Sequence, residues 1–143
     1  MFGNEVQVKK RSPRFLRRED GSAMVEAVLW LPIFLVIFGL MVDSALVFHG
    51  QSKVLRVVQD ANRNLSIGRL DTDAEVATYI TTRLAVYGIT PSTATAVTDT
   101  TTGVVTTTVV VPAVQLQALG YFDALLNLEI PVVAQHMRED WNA

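Results

Sequence analysis

The sequence predicts an α+β protein, in which a long N-terminal transmembrane and amphipathic helix packs on a small antiparallel sheet of about three strands, with a second helix. Three observations predict this. The run Ala27–Val42 holds sixteen residues without a charge. Beyond it, Val47, Val54, Leu55, Val58, Ala61 and Leu65 recur at three- and four-residue steps, the period of a helix with one buried face. Thr90–Thr108 then contains ten Thr, interspersed with Ala and Val in a β-branched alternation.

Composition locates the apolar excess. The chain has 143 residues, no Cys, a formal net charge of −2, 50% apolar residues and only 18% charged ones. Soluble proteins carry roughly 25% charged residues, and the mean hydropathy here is positive at +0.31. Residues 23–48 supply 21 of the apolar residues in 26 positions, so the excess is concentrated. The lack of Cys rules out a disulfide scaffold and a Cys-based metal site. Residues 1–21 carry six basic residues (Lys9, Lys10, Arg11, Arg14, Arg17, Arg18) against Glu5, Glu19 and Asp20, whereas the rest of the chain is net acidic. Basic residues beside an apolar span hold that end in the cytoplasm, a reading that outweighs nucleic-acid binding.

A spanning helix needs roughly 20 residues. Extending the apolar run to Ala23–Phe48 supplies them, and takes in Glu26 and Asp43. These acids lie about 26 Å apart along a helix axis, so Asp43 is expected near the far interface. Glu26 has no such escape. A cleaved secretory signal is the competitor, but the run carries bulky residues throughout and no Ala-x-Ala closes it.

The first helix is expected over residues 23–66, with Gly50 and Gly39 as soft points and Gly68 as its stop. Thr72-Asp73-Ala74-Glu75 is a capping box that opens a second helix with Val76, Ile80, Leu84 and Tyr87 on its apolar face. Gly88 and Pro91 end it. Asp99-Thr100-Thr101-Thr102-Gly103 signals a turn between strands 93–98 and 104–111, although a Thr-rich stretch also suits a glycosylated or disordered spacer. Pro112 closes the second strand. Val114, Leu116, Leu119, Phe122, Leu125 and Leu126 suggest a short or irregular helical segment, and Glu129–Arg138 reads as a last strand.

Little points to catalysis. His49 and His136 stand 87 residues apart, and no zinc-protease, nucleophile-elbow or phosphate-loop motif occurs. Asp71, Asp73 and Glu75 coincide with a helix start, where acids suit the dipole. No catalytic residue, cofactor, metal or nucleic-acid partner is expected.

The junction Arg17-Arg18-Glu19-Asp20-Gly21-Ser22-Ala23-Met24-Val25-Glu26-Ala27 is more specific. A polar leader ends in Gly, and an apolar helix follows with Glu at its fifth position. This resembles the signal of type IV prepilins, and more closely the TadE-like family of minor pseudopilins from the tight-adherence (Tad) pilus system. Val25-Glu26-Ala27 followed by Leu31-Pro32 is similar to the family's start, with Ala27 where an aromatic is usual. The tail also resembles the family: Val109–Pro112, a connector over 113–127, and Ile130–Asp140 containing Met137-Arg138-Glu139, although Val111 stands where a tyrosine is frequent.

The resemblance implies a type IV pilin-like fold and cleavage after Gly21 by a prepilin peptidase, leaving Ser22 as the new N-terminus. It divides the chain into a cytoplasmic leader 1–21, a transmembrane and assembly segment 22–48, and an exported head 49–143. It implies a bacterial inner-membrane protein whose partners are the peptidase, other pilins and minor pseudopilins, the inner-membrane assembly platform and membrane lipid. Physically, cleavage would create an α-amine of reference pKa about 8, mostly protonated at neutral pH. A carboxylate in hydrocarbon needs a partner, so Glu26 of one chain would pair with the Ser22 amine of its neighbour and set their register. Pro32 would loosen the helix for packing. Two alternatives stay open: an uncleaved single-pass anchor with a binding head, in which Glu26 snorkels, and a type II secretion pseudopilin.

Overall fold

The computed structural model describes residues 20–121 and 127–139. Residues 1–19 of the expected leader, together with Phe122, Leu125, Leu126 and Asp140, lie outside the described residues. The chain divides into two compact units, residues 1–36 and 37–143, and helix α1 (Asp20–Ser66) runs through both.

Within the first unit α1 makes an apolar column. From Met24 to Val36 every large apolar side chain is exposed, Leu29 to 67% and Phe34 to 63%. Such a surface is at rest in lipid and not in water. Among the described residues α1 is the one helix long and apolar enough to cross a membrane, which fits membrane anchoring.

In the second unit α1 presents a single buried stripe. Gly39, Asp43, Gly50, Val54, Val58, Ala61 and Leu65 are buried along it at helical spacing, with Val47 half-buried between them. The helix ends where the sequence places its stop: Gly68 has φ +68 and its N–H donates to the Leu65 carbonyl at 3.1 Å. At that angle a side chain would be strained, so glycine is the residue that lets the chain reverse.

Helix α2 (Asp73–Val86) starts on its capping residue. Thr72 is extended (φ −130, ψ 152), and its Oγ1 accepts the Glu75 N–H at 3.3 Å. Glu75 Oε2 accepts the N–H of Asp71, at 2.8 Å, one residue before the cap. Val76, Ile80 and Leu84 are buried as expected. Tyr87 is 57% exposed, because α2 ends one residue earlier and the ring leaves the apolar face.

The sheet is three antiparallel strands in the order β1 (Thr93–Asp99), β2 (Val104–Pro112), β3 (Glu129–Met137). The Thr-rich stretch is therefore a hairpin. Alternation decides which face is buried: Val105, Thr107, Val109 and Val111 point inward from the central strand, flanked by Ala94 and Ala96 on one side and Ile130, Val132 and Ala134 on the other. The small Ala side chains on β1 leave room for α2. Buried polar groups on α1 tie it to the sheet. The Thr107 Oγ1 donates to Asn62 Oδ1 at 2.5 Å, Asn62 Nδ2 donates to the Ala134 carbonyl at 3.3 Å, and Ser66 Oγ donates to the Met137 carbonyl at 3.1 Å. These bonds fix the register of the helix on the strands, which apolar contacts alone leave free to slide.

The hairpin turn is held by Asp99. Its Oδ2 accepts the Thr102 hydroxyl at 2.7 Å and its Oδ1 the Thr101 N–H at 2.8 Å, while Gly103 (φ +70) closes on the Asp99 carbonyl. The Thr102 hydroxyl bond, followed by the Thr101 N–H, holds the Asp99 carboxyl below the ordinary carboxylate value. A lowered folded-state value stabilises the fold above the unfolded value of about 3.9 and withdraws that support as pH falls through the folded one. Asp99→Asn should therefore flatten the acid limb of the unfolding midpoint between about pH 5 and pH 2, and leave its slope near neutrality unchanged. Thermal scans across that range check it.

Candidate assembly helix and its membrane-exit clamp

Gly21 and Ser22 lie in the first turn of α1, with Gly21 exposed and nothing within 4 Å of the position its Cβ would take. A cut there needs an extended backbone. The first turn of a helix has N–H groups without intrahelical acceptors, so opening it costs little. Glu26 sits one turn further and is exposed. Its helix neighbours at three and four residues are Ser22, Ala23, Leu29 and Trp30, none of them a cation. Glu26, Ala27, Trp30 and Phe34 line one shallow hollow on this face, and the two rings stand 6.2 Å apart at 44°. The side chain thus presents a carboxyl group beside aromatic surface, with no cation within a turn of it among the described residues. Pro32 lies inside the continuous helix and has no N–H to offer the Val28 carbonyl.

In the second unit a different site emerges at Asp43. The sequence expects this residue near the far interface; its side chain is fully buried against protein. Asp43 Oδ1 accepts the N–H groups of Ala118 and Leu119 at 3.1 and 2.8 Å, and Oδ2 accepts that of Tyr121 at 2.9 Å. Gly120, at φ +82, turns the backbone so that these donors converge on one carboxylate. The glycines expected to soften the helix serve the same loop. A Cβ on Gly39 would enter the Tyr121 ring, and one on Gly50 would lie 2.7 Å from Leu116 Cδ2. Gly39, Asp43 and Gly50 are therefore the seat of the connector after β2, which begins with a 3-10 turn at Ala113–Gln115. The clue in the sequence is spacing: these residues extend backward the stripe that Val54 and Val58 define.

Asp73 accepts the Thr98 N–H at 3.0 Å and its hydroxyl at 2.5 Å, joining the start of α2 to β1. His49 and His136 are both exposed.

The comparison with known families finds a match on α1. Residues 21–63 match the TadE-like protein family. The match opens on Gly21 and takes in Ser22, Glu26, Pro32 and Asp43. The match covers under a third of the chain. No curated protein and no solved structure matches the chain.

Proposed function

We propose that the chain is a minor pseudopilin precursor, cleaved after Gly21 by a prepilin peptidase and used in the assembly or initiation of a Tad-type adhesion pilus. The observation that carries this reading is the TadE-like match beginning at Gly21, on a helix whose exposed apolar column bears one unmatched carboxylate, Glu26. Residues 1–21 would be the cytoplasmic leader, 22–48 the transmembrane and assembly segment, and 49–143 the exported head. In the bacterial inner membrane the basic leader would face the cytoplasm. On processing, Ser22 would gain an amine able to pair with Glu26 of a neighbouring pilin or pseudopilin at the assembly platform. Pro32 would let the helix adjust to that neighbour. Lipid already solvates the apolar column, so helix packing and this polar pair would supply the association.

Deleting the chain from its host should leave cells with few or no Tad pili by electron microscopy, and expression of the intact chain should restore them. Unchanged piliation in the deletion would contradict the proposal.

A further inference from the structure

We propose that the tip of the connector after β2, residues 118–121, is embedded in the bilayer beside α1, so that the protein holds the membrane by a loop as well as by a helix. Length alone points there. A hydrocarbon core of about 30 Å takes roughly 20 helical residues. Toward the leader the span finds only Asp20, Gly21 and Ser22, preceded by Arg17, Arg18 and Glu19, so it gains nothing on that side. Residues 23–38 rise only about 24 Å along a helix axis. The missing length is supplied by Gly39, Leu40, Met41 and Val42, an uncharged stretch that ends at Asp43. Over that stretch α1 already carries the connector on one side. Gly39 is buried with the Tyr121 ring against it, and the N–H groups of Ala118, Leu119 and Tyr121 meet Asp43. Met41, between them, is 64% exposed. A span that reaches Val42 therefore takes the tip in with it.

The tip is built for such surroundings. Residues 113–121 carry no charge. Leu119 is 59% exposed, whereas the side-chain amide of Gln117 is buried and has no hydrogen-bond partner among the described residues. A loop in water does the reverse, hydrating its amide and turning its leucine inward. Hydrocarbon also requires backbone donors to find their acceptors within the protein. From Leu116 to Tyr121 five of the six N–H groups do so: Leu116 and Gln117 donate to the Ala113 carbonyl, and Ala118, Leu119 and Tyr121 to the Asp43 carboxylate. Asp43 thus gives the loop the acceptors that water gives an exposed one. Tyr121 adds a ring of the kind that gathers at the membrane–water boundary.

Insertion of the tip does not depend on cleavage after Gly21, so the full-length chain tests it. The chain has no Cys, and Leu119→Cys, Met41→Cys and Val97→Cys each replace an exposed side chain that a bimane label can occupy. The labelled proteins are reconstituted in phosphatidylglycerol vesicles and quenched in two ways: by phosphatidylcholine with a nitroxide near the top of its acyl chain, and by iodide on both sides of the membrane. The Leu119→Cys label should lose as much fluorescence to the nitroxide lipid as the Met41→Cys label, and little to iodide. The Val97→Cys label, on the outer face of the sheet, should do the opposite. Ala118→Cys, also at an exposed position, repeats the reading with the leucine in place. Iodide quenching of the two tip labels to the extent seen at Val97→Cys would overturn the proposal. Quenching by neither agent would overturn it in favour of a second protein surface over the tip, and loss of nitroxide quenching at Met41→Cys as well would overturn it at the span.

Discussion

Asp43→Ala should lower the unfolding midpoint of the detergent-solubilised protein by about 10 °C or more, while leaving the helical signal of α1 largely in place. The wild-type carboxylate accepts three backbone N–H groups from Ala118, Leu119 and Tyr121. Alanine would leave all three without an acceptor in a position buried by protein, where no substitute partner is supplied. Asp43→Asn should fall between the two, because its amide keeps one accepting oxygen and turns a donor toward the others. Near-UV circular dichroism of the tyrosines is the readout, since Tyr121 covers Gly39 at this clamp. A midpoint within about 2 °C of wild type for the Ala variant would show that the loop is held by other contacts.

Glu26→Ala should leave peptidase cleavage nearly intact and reduce incorporation into pili by at least about thirtyfold. The distinction follows from position. The proposed cut falls at Gly21 and Ser22, in the first turn of α1, whereas Glu26 is one turn inside and is exposed beside Trp30. Without Glu26 the new amine of Ser22 would enter the apolar helix layer with no partner, and no other residue in the adjacent turns carries a charge to replace it. Glu26→Gln should fail nearly as completely, since it keeps the shape and loses the charge. Western analysis of cell and sheared-pilus fractions reads both steps. Normal amounts of the Ala variant in sheared pili would remove the pairing from the account.

Elements whose residues announce themselves locally were readable without coordinates. The Thr72 cap and the Asp99–Gly103 turn each rest on a side chain acting within five residues of itself, the Gly68 stop rests on the lack of one, and each occurs where the pattern puts it. Period also sufficed for β2, whose inward Val105, Thr107, Val109 and Val111 are a simple alternation. Long-range polar contacts were illegible. Asp43 meets a loop 75 or more residues away, and Asn62 meets Thr107 across 45 positions, so neither partner could be named from spacing alone. Gly39 and Gly50 misled for a related reason. A glycine in a helix signals either flexibility or close approach, and only Tyr121 and Leu116 resolve it to close approach. The TadE-like motif was legible because it is contiguous, running from Gly21 through Glu26 to Pro32.

The proposed function turns on processing of the chain after Gly21. Intact-mass spectrometry of the protein extracted from membranes of cells containing the prepilin peptidase tests it most directly. The mature chain should begin at Ser22 and lack residues 1–21, and the uncut precursor should persist when Gly21 is replaced by a bulky residue. A wild-type chain that retains residues 1–21 would contradict it and leave α1 as an uncleaved anchor.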